Sequence, residues 1–308
     1  MDFSLLLDPG FLGQNVIDGL SRGAVYSVFA LGFTLIFGVL DIINLAHAAT
    51  FMWCAFVGWL VLTVFQLPLP VGLVLSMAAG GLLAVALEFV AFRPLRREGA
   101  ERLSPMISSI GASLILVSIA EAAFGTDTRR FPDTVLDPHP LVLSSDLGIS
   151  VSWAQILILV VSVVLMVALG WFIRQTKMGK AIRAIAASQK ASRLLGINVN
   201  RVIIVTFAIG GALAGAAGIL VGLLTNNIVP SMGAQIELRG LAVVILGGMG
   251  NIEGAVLGGL ILGLVETFTI AYVPGGAEAK DAIAFLILFL ILMVRPNGLM
   301  GRREANRA

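Results

Sequence analysis

Glu266 stands near the centre of an apolar run at 254–273, and Asp41, Asn44 and His47 follow one another at intervals of three at the head of another run, 42–65. Burying ionisable groups at membrane depth is costly, so each such residue is first read as a position that handles a solute or a proton. On a helix the three-residue interval stacks Asp41, Asn44 and His47 along one stripe, where they would line a polar cavity. A third concentration is Gly247-Gly248-Met249-Gly250-Asn251-Ile252-Glu253-Gly254. Its glycines fit either an ordinary turn between two short helices or an unwound helix whose free N–H and C=O groups line a solute path. The residues expected along such a path are therefore Asn44, His47, Asn251, Glu253 and Glu266. Glu88 and Glu121 lie nearer the ends of their runs, where a side chain can snorkel to water. The nearby Glu237 and Arg239 mark a membrane interface or a buried ion pair.

Other chemistries have no residues to stand on. With His47 and His139 as the only histidines, a histidine-based metal site is not expected. The lone Cys54 excludes a disulfide framework and reads as a small core residue. The phosphate loop G-x-x-x-x-G-K-[ST] is missing, as are H-E-x-x-H and G-x-S-x-G. We expect no catalytic residue and no cofactor in this chain, and any ATP drive would have to come from another subunit.

The elements that must hold these residues are membrane helices. The 308-residue chain is 58% hydrophobic and 12% charged, with 35 glycines and a mean hydropathy of +1.00. This predicts an all-α fold, a polytopic transmembrane helical bundle forming a single domain over 1–308. A net charge of +2 gives no argument for nucleic acid. Met1–Gly10 carries Asp2 and Asp8 instead of a basic segment, so the first span is expected to serve as the insertion signal. A span needs roughly 20 apolar residues, and candidates lie at about 14–37, 42–65, 70–92, 105–124, 152–173, 202–224, 237–250, 254–273 and 282–296. The short 237–250 run is either a ninth crossing or a re-entrant segment beside eight.

Charge sets the orientation. Arg93, Arg96, Arg97 and Arg102 outnumber Glu98 and Glu101, and Arg295, Arg302, Arg303 and Arg307 outnumber Glu304, which puts both segments in the cytoplasm. The loop at 125–150 holds Asp127, Asp133, Asp137 and Asp146 against Arg129 and Arg130, and belongs outside with the N-terminus. The C-terminus is then cytoplasmic. Trp153 and Trp171 bracket their run like interfacial anchors.

Between two apolar runs, residues 174–201 carry Arg174, Lys177, Lys180, Arg183, Lys190, Arg193 and Arg201 and no carboxylate. A basic island there is a cytoplasmic loop, the largest surface a soluble partner could grip. If 179–195 is one helix, Lys180, Arg183 and Lys190 fall within about 80° of one another, and Gly179 and Gly196 look like its stops. Glycines spaced by four, at 211/215, 218/222, 250/254, 254/258 and 259/263, suit close helix packing, a dimer seam or a moving gate.

Several of these segments together resemble a known family. Leu31-Gly32-Phe33-Thr34-Leu35-Ile36-Phe37-Gly38 followed by Ile43-Asn44-Leu45-Ala46-His47 is similar to the amino-terminal signature of branched-chain amino-acid type ABC importer permeases. Gly179-Lys180-Ala181-Ile182-Arg183-Ala184-Ile185-Ala186 with Leu195-Gly196-Ile197-Asn198 resembles their ATPase-contacting loop. Gly247 to Ile252, Gly254 to Gly259 and Arg295-Pro296-Asn297-Gly298-Leu299-Met300-Gly301 match as well. The chain departs from the pattern at Ala48, where a glycine usually follows the histidine, and at Ala187, where a polar residue is common.

The resemblance implies an importer of branched-chain amino acids or a related small polar solute, such as another amino acid, urea or a short amide, in a bacterial inner membrane. It also implies three partners: a second permease subunit, ABC ATPase subunits that bind ATP and Mg, and an extracytoplasmic solute-binding protein. Gly179, Lys180, Arg183, Lys190 and Gly196 would serve ATPase coupling. The competing expectation is a stand-alone ion- or proton-coupled transporter or channel with Glu266 or the Asp41 to His47 stripe as its coupling site.

Overall fold

The computed structural model describes residues 8–99, 101, 103–132, 141–144 and 149–301. Asp2, Arg102, Asp133, Asp137, His139, Asp146, Arg302, Arg303, Glu304 and Arg307, named above from the sequence, lie outside them. Helix α1 (Pro9–Leu40) opens with the Asp8 carboxylate accepting from the Gly10 N–H and a proline in its first turn, and closes at Asp41, whose φ is 56°. Helix α2 (Ala46–Trp59) runs on through a π-turn at Leu60–Val64. Helix α3 (Leu69–Leu87) likewise passes through a π-turn at Glu88–Phe92 into α4 (Arg93–Arg97), and α5 (Leu103–Phe124) follows. A two-stranded antiparallel pair, β1 (Leu141–Ser144) and β2 (Ile149–Val151), is a small departure from the all-α expectation. The chain continues as α6 (Trp153–Gln175), α7 (Lys177–Ala187), α8 (Gln189–Leu194), α9 (Val199–Thr225), α10 (Met232–Gly247), α11 (Ile252–Tyr272) and α12 (Gly276–Val294).

Among the described residues, seven helical segments are long and apolar enough to cross a membrane: Pro9–Leu40, Ala46–Val64, Leu69–Arg97, Leu103–Phe124, Trp153–Gln175, Val199–Thr225 and Ile252–Tyr272. Two of the nine runs fall short of that standard. Helix α10 has 16 residues, about 24 Å at 1.5 Å per residue, and α12 carries Glu278, Lys280 and Asp281 in its first turns. Burial separates a centre from a rim, since α1 buries 83% of its most apolar window whereas α5 buries 17%. The outward faces of α3, α5 and α6 are apolar, with Leu82, Val90, Leu114, Val164 and Val167 more than half exposed, as lipid contact requires.

Close backbone approach holds the centre together. Gly211 meets Gly80, Gly215 meets Ser76 and Gly218 meets Phe51, while Gly254 meets Gly247, Gly259 meets Ser27 and Gly263 meets Gly23. At each of these a Cβ would strike backbone. The four-residue glycine spacing is thus spent on packing within this chain, which is how helices associate where lipid supplies no hydrophobic drive.

Three sequence expectations need correction. Residues Asp41–Leu45 are not helical, so Asp41, Asn44 and His47 do not form a helical stripe; the left-handed Asp41 ends α1 before α2 begins. Glu88 does not snorkel: it is fully buried and bonded to Arg96 at 2.7 Å, whereas Glu121 is exposed. Helix α7 stops at Ser188, whose extended backbone and side chain cap α8, so Lys180 and Arg183 lie on one helix and Lys190 on the next. Ala48 sits inside α2, where its backbone is helical and the positive φ that a glycine would allow is not needed.

Candidate solute path and coupling platform

The α1–α2 break holds Asn44 and His47 in the interior. The Asn44 Oδ1 accepts from the Ala46 N–H at 3.1 Å, satisfying one of the free donors at the start of α2. His47 is buried between the rings of Phe29 and Phe33, at centroid separations of 4.9 and 5.9 Å. Gly32 makes room for it: a Cβ there would come within 2.9 Å of the imidazole and 2.6 Å of the Gly210 carbonyl. The His47 Nε2 is buried without a hydrogen-bond partner among the described residues. Because Gly32 lies eight residues before Leu40, α2 starts about 12 Å inside the end of α1. A helix beginning at depth leaves polar backbone in the interior, which transporters tolerate where it meets a cavity or other protein.

Glu266 belongs to a separate ionic cluster. Tyr26 on α1 donates its hydroxyl to the Glu266 Oε2 at 2.5 Å. Arg239 on α10 lies 3.1 Å from the Glu266 Oε1 and 3.0 Å from the Asp281 Oδ1 on α12. Four helices meet at one guanidinium. Arg239 therefore pairs across helices and not with its neighbour Glu237, whose Oε1 is buried without a partner among the described residues. Tyr26 and Asp281 escaped sequence reading, because a tyrosine in an apolar run looks like packing and Asp281 sits one residue before the run at 282–296.

Asn251 and Glu253 lie elsewhere. The Asn251 Oδ1 caps α11 by accepting from the Gly254 N–H at 3.0 Å, and its Nδ2 donates to the Met300 carbonyl at 2.7 Å. Leu299 and Met300 donate their N–H groups to the carbonyls of Leu246 and Gly247 at 2.8 and 3.0 Å. The glycine segment is thus sealed by the C-terminal tail, with Gly248 (φ 102°) packed against Gly301. Glu253 is ion-paired with Arg174, at the mouth of the basic loop. Of the five path residues, the structure buries Asn44, His47 and Glu266 in the bundle and sets Asn251 and Glu253 beside the loop.

The loop itself is a built platform. Helix α7 buries Ile182 and Ile185 and turns Lys180 and Arg183 outward. Gly179 is no stop: it is buried in the α6–α7 corner, where a Cβ would strike the carbonyls of Phe172 and Ile173. Gly196 does end α8. With φ of 78°, its N–H reaches the Arg193 carbonyl at 3.1 Å and the Ile197 N–H reaches Ser192 at 3.0 Å, the paired bonds of a Schellman close. Lys190 and Arg193 are exposed, as are Leu194 at 89% and Leu195 at 78%. Gln189 donates to the Val39 carbonyl at 3.2 Å, tying the platform to the end of α1.

Comparison with known proteins identifies the family. Residues 15–292 match the model of the family described as branched-chain amino acid transport system / permease component. The chain is 35% identical over 302 residues to the high-affinity branched-chain amino acid transport system permease protein BraD of Pseudomonas aeruginosa, covering 96% of this chain and 97% of the relative. It is also 35% identical over 303 residues to the corresponding LivH of Escherichia coli K12, with the same coverage. The ribose import permease RbsC of Haemophilus influenzae is 27% identical over 272 residues, covering 85% of this chain and 79% of the relative. No solved structure matches. A family match over residues 15–292, with relatives 35% identical across nearly the whole chain and helices of membrane length to carry it, means that this chain is a multi-pass membrane protein and belongs to the branched-chain amino acid transport system permease family.

Proposed function

We propose that the protein is the permease subunit of an ABC importer for branched-chain amino acids or a related small polar solute, resident in a bacterial inner membrane. It pairs with a second permease subunit, receives solute from an extracytoplasmic solute-binding protein, and is driven by separate ATPase subunits that bind ATP and Mg. The platform at 174–201 is where those ATPases push, with Lys180, Arg183 and Lys190 on the gripping surface and Gly179 and Gly196 shaping it. In this reading the chain crosses the membrane nine times with its N-terminus outside and its C-terminus in the cytoplasm. Helix α10 and the non-helical residues before it make the seventh crossing, and α12 makes the ninth. Asn44, His47 and Glu266 face or support the solute path, and Asn251 and Glu253 brace the cytoplasmic end.

The observation that carries the proposal is the platform. It combines outward cations, two exposed leucines and a rigid corner with a direct bond to α1. A merely solvated basic loop has no need of a buried Gly179 or a bonded Gly196. The test is reconstitution of the chain with its second permease and ATPases in proteoliposomes, measuring ATP-driven leucine uptake beside ATP hydrolysis. Arg183→Ala with Gly196→Ala is expected to leave hydrolysis running while uptake falls at least tenfold. Normal uptake in that double variant would sink the coupling role, and gradient-driven uptake by the chain alone would replace the importer with a secondary transporter.

A further inference from the structure

One side of the bundle does not look like the side that meets lipid. The large side chains exposed along the middles of α3, α5 and α6 are Val74, Leu82, Leu114, Ile115, Val163, Val164 and Val167, with the exposed Glu121 confined to the last turn of α5. Helix α10 and the Ser231 that precedes it instead expose Ser231, Ala234, Gln235 and Leu238, spaced at three and four residues and so on one face. Next to them Asp281 on α12 is 54% exposed at its side chain. A charged, half-exposed carboxylate on a membrane helix faces water or protein and not acyl chains.

The ionic cluster gives this face a direction. Arg239 is held from behind by the buried Glu266, which Tyr26 also holds. Arg239 stands about 11 Å from the start of α10, Glu266 about 9 Å from the end of α11 and Asp281 about 8 Å from the start of α12, so the cluster lies one to two turns inside the ends of these helices. Both hydrogen bonds from Arg239 to Asp281 fall on Oδ1, and the carboxylate's other oxygen takes neither. Two carboxylates share one guanidinium, so Asp281 is fixed in place yet incompletely neutralised. A narrow cleft bordered by Arg239, Leu262, Glu266, Asp281 and Phe285 opens beside it, with a volume of about 10 Å³, room for one water-sized group. A half-exposed carboxylate beside an opening of that size suits the ammonium head of a small solute whose remainder lies outside the cleft.

We propose that the face formed by α10 and the start of α12 is a wall of the solute path, and that Asp281 receives the ammonium group of a zwitterionic amino acid there while Arg239 positions it. This rests on the importer reading. The test uses the complete importer in proteoliposomes with the buried Cys54 replaced by alanine. Gln235→Cys is reacted with a water-soluble cationic thiol reagent and with its anionic counterpart, and Val164→Cys serves as the lipid-facing control. Gln235→Cys is expected to react at least tenfold faster than the control, to be protected by saturating leucine, and to prefer the cationic reagent severalfold. Adding Asp281→Asn should abolish that preference.

On its own, Asp281→Asn should reduce uptake at least tenfold with the assembly and ATP hydrolysis intact, and Asp281→Glu should recover most of it. Reaction at Gln235→Cys no faster than at the control would overturn the wall. Fast reaction together with normal uptake in Asp281→Asn would overturn the ammonium site. Failure of the unaltered importer to take up leucine with ATP would instead reject the importer reading, so the two failures are told apart.

Discussion

The chain leaves helical geometry between central helices at Asp41–Leu45 and again at Gly248–Asn251, and in both an asparagine side chain accepts from a backbone N–H at the start of the next helix. The surroundings differ. Asn44 is buried, and its break is roofed by His47, Phe29 and Phe33, with a glycine on α1 cut away to admit the imidazole. Asn251 lies at an open end where Met249 is 55% exposed, and its break is closed by a strand of tail some 50 residues downstream in sequence, the separation to Met300 being 49. A break inside the bundle must satisfy its polar groups with side chains already at hand. One at the surface has room for a remote segment to lay its backbone along it.

That contrast can be tested by substitution. The largest effect is expected from Gly32→Leu, which drives a side chain into the Gly210 backbone and the His47 ring. It should cost about 3 kcal/mol or more, read as loss of folded protein on size exclusion in detergent. Gly38→Ala, with only ordinary van der Waals contact to Gly250, should melt within a degree or two of the parent. Equal losses at both positions would remove the distinction between the buried break and the open one. Truncation after Arg295 comes next, because it removes three hydrogen bonds to the second break, worth about 1 kcal/mol each. Hydrogen exchange should rise at Leu246–Asn251 and stay unchanged at Asn44–His47.

Smaller effects sharpen the same point. Asn44→Ala leaves a buried N–H unpaired and should cost about 2 kcal/mol, whereas Asn251→Ala should cost about 1 kcal/mol as a cap that water can replace. Thermal unfolding of the two variants side by side would show whether burial sets the difference. Arg174→Ala removes an exposed ion pair with Glu253 and should change stability by at most about 0.5 kcal/mol, with no dependence on salt beyond that.

Much of this was legible in the sequence because hydropathy and charge act locally. The apolar runs give the helices, since a span must satisfy its own backbone, and the basic island gives the loop. Glycine spacing gives close packing faces but not their partners, which depend on how helices cross. The cluster at Glu266 was half visible: the acid stood out, but Arg239, Tyr26 and Asp281 come from three other helices, and no periodicity links them. The Asp41 to His47 interval misled because a period of three is common to a helical stripe and to a chain that turns. The left-handed Asp41 decides between these, and nothing in residue type demands it. Likewise Gly179 reads as a helix stop by composition, while its packing against Phe172 and Ile173 makes it a corner.

Helix α1 has 32 residues, so it is about 48 Å long, well beyond a hydrocarbon core of about 30 Å. It is tied at one end to the platform through Val39 and Gln189 and has no proline after its first turn. A tilt of about 10° around its platform end would swing the opposite end by about 8 Å, so a small change of angle at that tie is a large displacement at the far end.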